Sequence, residues 1–453
     1  MRFARLISTN ALFQSGSYMK HSVVISALWL AVVSILTSTL CLASEIDSIV
    51  SDKENQADNT LGKITLEEVL RIAAETHPTV AQRLSEQGAS DYSAAGARWQ
   101  RWPGVSMSSS RSPLGSTLTE VQVEQPIWTG GRITANINAA EARAEAARHS
   151  VFEARKIIIE RAINAYAEAM RLQARITIAD AAIEDFEQLT AMIDRRFESG
   201  ISPKADSVNV RARLQQANSE RLQLRLQRRN IRTELELLIG QRFSDLAVPQ
   251  ALLPDAISLD DAVEAALEKA PELARLNAKE RIAEETIAAT RSNLSPSLSL
   301  RYQRIFGGGT LYATDQVFLG VTFQPGSGLS SLSAISEAEA RRTGTTYARE
   351  STRLDLMNRV KNLWHQADSS RREQIVLGDL VASTQEVYAS CLRQFPVGRR
   401  TWLEVLLARR DATQAQYAHS DTRWTGFAAE LKLQLITGQL AARNYRINAE
   451  VSQ

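Results

Sequence analysis

Ile64-Thr-Leu-Glu-Glu-Val-Leu-Arg-Ile-Ala-Ala-Glu-Thr-His-Pro78 returns 193 residues later as Ile257-Ser-Leu-Asp-Asp-Ala-Val-Glu-Ala-Ala-Leu-Glu-Lys-Ala-Pro271. The offset holds at Pro103/Pro296, Val105/Leu298 and Met107/Leu300. It drifts to 198 at Phe197/Phe395, Gly200/Gly398 and Gly240/Gly438. An offset kept over such a span marks an internal duplication, and repeats set the architecture. The chain therefore reads as two structural units, 64–240 and 257–438. Residues 241–256, with Pro249 and Pro254, link them. Residues 44–63 form a polar, loose start and 439–453 a tail.

Each unit has the same internal order. A short helix opens on a capping pattern, Thr65 or Ser258 followed three residues later by Glu68 or Asp261. Pro78 or Pro271 interrupts it, and a second helix runs to about 101 or 294. Period-2 alternation follows. Val105 and Met107, then Val121 and Val123, share one face, with Ser, Glu and Gln between. In the second unit the set is Leu298, Leu300, Tyr302, then Val317, Leu319, Val321, Phe323. Pro113-Leu-Gly115 and Gly307-Gly-Gly309 mark the turns of two β-hairpins. From Arg132 to Ser199 there is then no Gly or Pro, which predicts a helical rod of about 100 Å. Gly200 and Pro203 end it, and a further helix spans about 204–239. The second unit repeats this at about 330–395 and 400–437, with Gly344 and Gly378 softening the long helix.

A rod of that length needs neighbours along its whole extent. Its apolar residues recur at 4,3,4 spacing: Ile159, Ile163, Tyr166, Met170, then Ala182, Phe186, Leu189, Ile193. A coiled-coil scaffold is one reading. The hairpins argue against it, because four strands leave open edges, a liability in water and forbidden in lipid. About eight strands is the smallest closed barrel, so an oligomer must close it: two chains give 8 strands, three give 12. Trp99, Trp102, Trp128 and Tyr302 flank or enter the hairpins, where an aromatic girdle would sit; ordinary core packing is the alternative.

The composition agrees. Among 453 residues, 53 Lys plus Arg face 51 Asp plus Glu, and 44% are hydrophobic. A net charge of +2 gives no case for a nucleic-acid partner. Gly (21) and Pro (11) are scarce, as long helices require. Residues 1–43 hold no acid; Arg2, Arg5 and Lys20 precede an apolar run, Val23 to Leu40, and Cys41 and Ala43 suit a cleavage site. This reads as a secretory signal peptide, with Met19 a second candidate start; a single anchor helix is the alternative, as is lipidation of Cys41. Five His and two Cys are too few for a zinc or disulfide framework. His77, His149, His365 and His419 lack metal spacing, and no phosphate loop or catalytic arrangement stands out. No enzyme activity, cofactor or metal is expected. Cys391 reads as a small packed residue, with a reactive thiol the alternative.

Two tandem copies of helix, hairpin, long helix and helix behind a signal peptide resemble the TolC-like outer-membrane efflux protein family. The resemblance covers about 64–440 and includes Gln125-Pro-Ile-Trp-Thr-Gly-Gly131 and the helix ends Leu235/Gly240 and Leu433/Gly438. It implies a mainly α protein with a small β part. Long antiparallel helices would form a periplasmic α-barrel, and four strands per protomer a 12-stranded transmembrane barrel in a homotrimer. It implies an outer-membrane protein spanning the periplasm, embedded in outer-membrane lipid, with an inner-membrane ABC transporter and a periplasmic adaptor as partners.

By the same resemblance the functional end is the pair of turns after the long helices. Phe197, Gly200, Phe395, Gly398 and Trp402 are expected where the adaptor docks. Glu404 falls on a position of the family's acidic entrance ring, whereas Leu407 stands where a second acid occurs. That implies three carboxylates in the ring rather than six, and with them a weaker cation preference and weaker block by multivalent cations. Arg400 and Asp206 match a gate pair that joins neighbouring helix pairs; Phe395 stands where the family has a tethering tyrosine, so one tether is lost. A surface ion pair is the plainer alternative. Arg393-Gln-Phe-Pro-Val-Gly-Arg-Arg-Thr-Trp-Leu-Glu-Val-Leu406 is similar to outer-membrane components of type I secretion systems that export large repeat adhesins (LapE/AggA-like). The expected role is thus a duct for an unfolded secreted protein. A drug or metal efflux duct and a periplasmic adaptor or scaffold are the alternatives.

Overall fold

The computed structural model describes residues 61–111, 117–249, 257–307 and 314–440. The expected signal peptide, most of the loose start, the turn at 113–115, residues 308–309 and the tail beyond 440 lie outside the described residues.

Strand β1 (Leu61–Ile64) leads into α1 (Leu66–Thr76). The predicted cap is formed: the Glu68 amide donates to Thr65 Oγ1 at 3.3 Å, and the Thr65 amide donates back to Glu68 Oε2 at 2.9 Å. Two of the donors that a helix start leaves unpaired are satisfied in this way. Pro78 forces His77 into an extended conformation, ψ 132°, so α1 stops and α2 (Pro78–Arg98) starts afresh. Strands β2 (Gly104–Arg111) and β3 (Thr117–Trp128) follow, then α3 (Arg132–Glu198), α4 (Lys204–Ile239) and β4 (Phe243–Leu246). The second unit repeats the series as α5 (Leu259–Lys269), α6 (Pro271–Arg291), β5 (Ser297–Gly307), β6 (Thr314–Thr322), α7 (Ser330–Gln394) and α8 (Trp402–Ile436).

The rods are α3, of 67 residues, and α7, of 65. Helix α3 is packed against α2, α4, α6 and α8. Its Ala-rich start is buried there: Ala140 and Ala144 meet Ala94 and Ala97 of α2, because side chains this small let helix axes approach closely. Helix α7 packs on α6 and α8 but buries few residues, Leu356, Val360 and Leu363 among them. The helices therefore form an open array. Its order is α4–α3–α8–α7 towards the tips and α2–α3–α6–α7 towards the sheet. The expected softening at Gly344 and Gly378 does not occur: α7 is continuous through both. A Gly costs about 1 kcal/mol in a helix, too little to break a rod held by its neighbours.

Four strands form one antiparallel sheet in the order β2–β3–β5–β6. The register gathers the alternating residues by face. Val105 pairs with Val123, Met107 with Val121, Tyr302 with Val317, Leu300 with Leu319 and Leu298 with Val321. Val105, Met107, Val317, Leu319 and Val321 are exposed, an apolar face that nothing among the described residues covers. The other face aligns Ser106, Gln122, Gln303 and Gln316, and Gln303 donates to Glu120 at 2.8 Å. The sheet is thus mainly apolar on one side, where Arg304 and Asp315 pair in register with Val121, and mainly polar on the other, with free edges at β2 and β6 among the described residues. Trp99, Trp102 and Trp128 are also exposed, which excludes core packing for them. Among the described residues no helix is long and apolar enough to cross a membrane.

Two expectations need correction. Residues 61–63 are not part of a loose start, and 243–246 are not plain linker: β1 and β4 pair into a two-stranded sheet. The Ala247 amide donates to Ile64 O at 2.9 Å, and Tyr166 of α3 donates its hydroxyl to Ala247 O. Arg232 of α4 lies over the Phe243 ring at 5.1 Å and donates to the Phe243 carbonyl. These contacts clamp the crossover between the two units onto the long helices.

Candidate functional site

The tips of the two helical hairpins are built alike. At each, a glycine takes a left-handed conformation that a side chain would resist: Gly200 at φ 71° and Gly398 at φ 74°. Each lets the chain fold back so that orphan helix carbonyls find donors. The Ile201 amide donates to Arg196 O at 2.8 Å, and the Arg399 amide donates to Gln394 O at 3.1 Å.

The second turn is tied more tightly. Thr401 caps α8, with the Glu404 amide donating to Thr401 Oγ1 at 3.4 Å. Glu404 Oε2 accepts from the Thr401 amide at 2.7 Å and its hydroxyl at 2.9 Å. Glu404 Oε1 accepts from Arg400 Nη1 at 2.7 Å. The Thr401 amide above all, and then the Arg400 guanidinium, hold the Glu404 carboxyl down to about 2. Glu404 is therefore ionised and already paired within its own turn.

Arg400 and Asp206, the expected gate pair, are not brought together within one protomer. Arg400 is bound by Glu404 instead, because four residues along a helix start is the reach at which an Arg and a Glu meet. Asp206 sits in the first turn of α4, its amide donating to Pro203 O at 3.1 Å.

Phe395 and Trp402, expected as docking contacts, are only 6% and 5% exposed. Their rings meet at 5.7 Å, and they pack with Leu189, Ile193 and Val210 of the first hairpin. Arg196 covers the Phe395 ring at 4.9 Å. They join one tip to the other. Phe197 is exposed. Ile201, Val397 and Leu403, at which no role was expected, are exposed too, as is Leu407 at the position of the missing second acid. The signal that separates Leu403 from Trp402 is helix phase alone. Cys391 is buried in the same cluster, as a packed residue.

Above the tip a charged belt crosses the array. Arg409 of α8 lies 2.7 Å from Asp185 of α3, is nearly buried, and stacks over the Tyr388 ring at 5.4 Å. Burial raises the Asp185 carboxyl, and the Arg409 charge opposes that rise. Tyr388 is pushed up to about 12, by burial first and then by Asp185. Higher up, Arg171 and Arg175 share Asp421 at 3.1 and 3.0 Å, and Arg175 covers the Tyr417 ring at 4.8 Å. These pairs fix the height of one hairpin against the other. No sequence spacing announced them, since the partners are more than 200 residues apart.

The charges of the tip add up one way. Arg195, Arg196, Lys204, Arg393, Arg399 and Arg400 face Glu198, Asp206 and Glu404 across the two turns. Among the described residues no group of three His, Cys, Asp or Glu side chains is placed to hold a metal ion. The site is a shaped, basic tip with an apolar rim.

Known proteins share this organisation. The model of the family described as "Outer membrane efflux protein" matches residues 69–241 and 262–439, one match in each unit. The alkaline protease secretion protein AprF of Pseudomonas aeruginosa is 24% identical over 297 residues, a match spanning 62% of this chain and 62% of that protein's length. A solved membrane protein from Pseudomonas aeruginosa superposes with a TM-score of 0.73 at 20% identity, over 82% of this chain and 90% of that one. The outer membrane protein VceC from Vibrio cholerae gives 0.72 at 15% identity, over 82% and 96%. At such identities the solved structures speak for the fold.

Proposed function

The chain belongs to the outer membrane efflux protein family, and on that premise we propose that it is the outer-membrane duct of a type I secretion system. In this role it passes an unfolded polypeptide across the periplasm and outer membrane. It works with an inner-membrane ABC transporter and a periplasmic adaptor. The observation that carries the choice of cargo is the similarity to a protein named for protease secretion. The duct is a homotrimer in this reading. Four strands with free edges at β2 and β6 support closure by three copies into twelve. The exposed apolar face of the sheet meets lipid, and the polar face lines water.

The tip is the entrance. Its surplus of arginine and lysine gives a field that draws anionic segments inwards, since charges lining a mouth set which ions and chains enter. The Arg400–Glu404 pair replaces the expected ring of free carboxylates. In the closed trimer, Asp206 of a neighbouring helix pair competes with Glu404 for Arg400, and that exchange is the gate.

The test is deletion of the gene, with the surface and secreted proteins compared and drug sensitivity measured in parallel. Loss of one secreted protein with unaltered drug resistance supports this reading. Unaltered secretion with new drug or metal sensitivity supports the second reading, a small-molecule efflux duct, which the family description favours.

A further inference from the structure

We propose that helix α4 of one copy seats antiparallel on helix α7 of the next, with Leu226 between Val376 and Leu380 and Asp379 facing Arg225 and Arg229. This rests on the oligomer argued above and adds where, and by which groups, its helical wall closes.

Among the described residues both helices are free edges of the array, and each carries an apolar patch with no partner in its own chain. Leu226 is 58% exposed, Val376 67% and Leu380 45%. On α4 these residues point away from α3, whose side buries Val210, Leu224 and Leu235. On α7 they point away from α8, whose side buries Val360, Leu363 and Ala367.

The heights agree. Asp180 of α3 pairs with Arg221 and Arg225 of α4, which levels those two helices. Arg175 on Tyr417 levels α3 with α8. His419 against Gly378, and Arg409 over Tyr388, level α8 with α7. Followed through, Ile176, Arg225, Tyr417 and Leu380 lie at one level of the array. A rotation about the long axis of the assembly keeps that level, so Leu380 of one copy meets the neighbour's α4 at Arg225 and Leu226.

The sides agree as well. Arg229 stands three residues after Leu226, and Asp379 three after Val376, each roughly 60° round its helix in the same sense. Antiparallel neighbours are related by a dyad normal to the plane of their axes, which keeps front on front. The two charges therefore emerge on the same side of the seam. Among the described residues neither Asp379 nor Arg229 has an ion-pair partner in its own chain, whereas Arg225 already shares Asp180. An acid and a base left unpaired at one level, on one side, beside matched apolar residues, fit a second copy of this chain better than any other occupant.

The test is cysteine cross-linking of the full chain in outer-membrane fractions. Leu226→Cys with Leu380→Cys is compared with Leu226→Cys with Leu354→Cys, and with each single variant. Leu354 is exposed on the same face of α7 but lies about 39 Å further along. A short bis-maleimide is expected to give dimer and trimer bands at least tenfold stronger for 226/380 than for 226/354. Asp379→Arg is expected to lower the heat resistance of the trimer, and Arg229→Asp added to it to restore that resistance. A trimer that forms but links no better through 226/380 than through 226/354 overturns the seam and leaves the oligomer standing. A chain that stays monomeric in gentle detergent extracts overturns the oligomer reading itself.

Discussion

Arg400 donates to Glu404 Oε1 at 2.7 Å while the other oxygen of the same carboxylate accepts from Thr401. One side chain thus closes the cap of α8 and neutralises the arginine beside it. The acid expected to sit in an entrance ring is spent within its own turn, and the balance at the tip is basic.

Ion selectivity reads this directly. In planar bilayers with a salt gradient, the wild-type channel is expected to prefer anions. Glu404→Gln should shift the reversal potential further towards anions, and Arg400→Ala back towards cations. A cation preference that neither variant moves would sink the assignment of the tip as the entrance.

The cap should also survive acid. Glu404 has its folded pKa lowered to about 2, against about 4.3 for a free glutamate. A depressed carboxyl contributes stability that is present above the unfolded pKa and is lost as pH falls through the folded one. The turn is therefore expected to keep its amide protection at pH 5 and to loosen progressively between about pH 4 and 2. In Thr401→Ala, hydrogen exchange at residues 401–405 should rise already at neutral pH.

Arg409 and Asp185 make a second pH test. Arg409→Ala leaves a half-buried carboxylate without its cation. The expected cost is about 2 kcal/mol at pH 7, discounted from the 3–5 of a fully buried pair because Asp185 keeps some water. With burial unopposed, the Asp185 pKa lies above its unfolded value. Such a group stabilises below the unfolded pKa and loses that contribution as pH rises, so the deficit should shrink at pH 4. Urea unfolding of the detergent-solubilised protein at the two pH values measures it.

Trp402 and Leu403 are adjacent but should behave oppositely. Trp402→Ala opens a cavity in the seam between the tips and is expected to cost about 3–5 kcal/mol, seen as protease cleavage near 395–405. Leu403→Ala, at an exposed site, should leave stability within about 0.5 kcal/mol. It should instead weaken recovery of the periplasmic adaptor in pull-downs.

The two faces of the sheet can be separated in the same manner. Val317→Arg places a charge on the apolar face and is expected to cost about 2–4 kcal/mol near the membrane midplane, seen as loss of heat-modifiable oligomer. Gln303→Arg, on the polar face, should assemble normally and alter conductance only.

Much of this protein was legible in one dimension because its signals are local. Thr65 with Glu68, and Ser258 with Asp261, announce helix starts within four residues. The Gly- and Pro-free run from Arg132 announces the rod, and Val105/Met107 against Val121/Val123 announces a hairpin. The duplication then organises both units. Other features have no local signature. Strands β1 and β4 are four residues each and pair across some 180 residues, so no periodicity in either one reveals the other. The burial of Phe395 and Trp402 and the Asp185–Arg409 belt depend on the rotation and height of four long helices against each other. A turn of one helix by a single residue moves a side chain by 100°, from seam to solvent. Periodicity and capping determined which elements form and in what order. Only packing decided which faces meet, because that choice sums contacts over the length of the rods and is written at no single position.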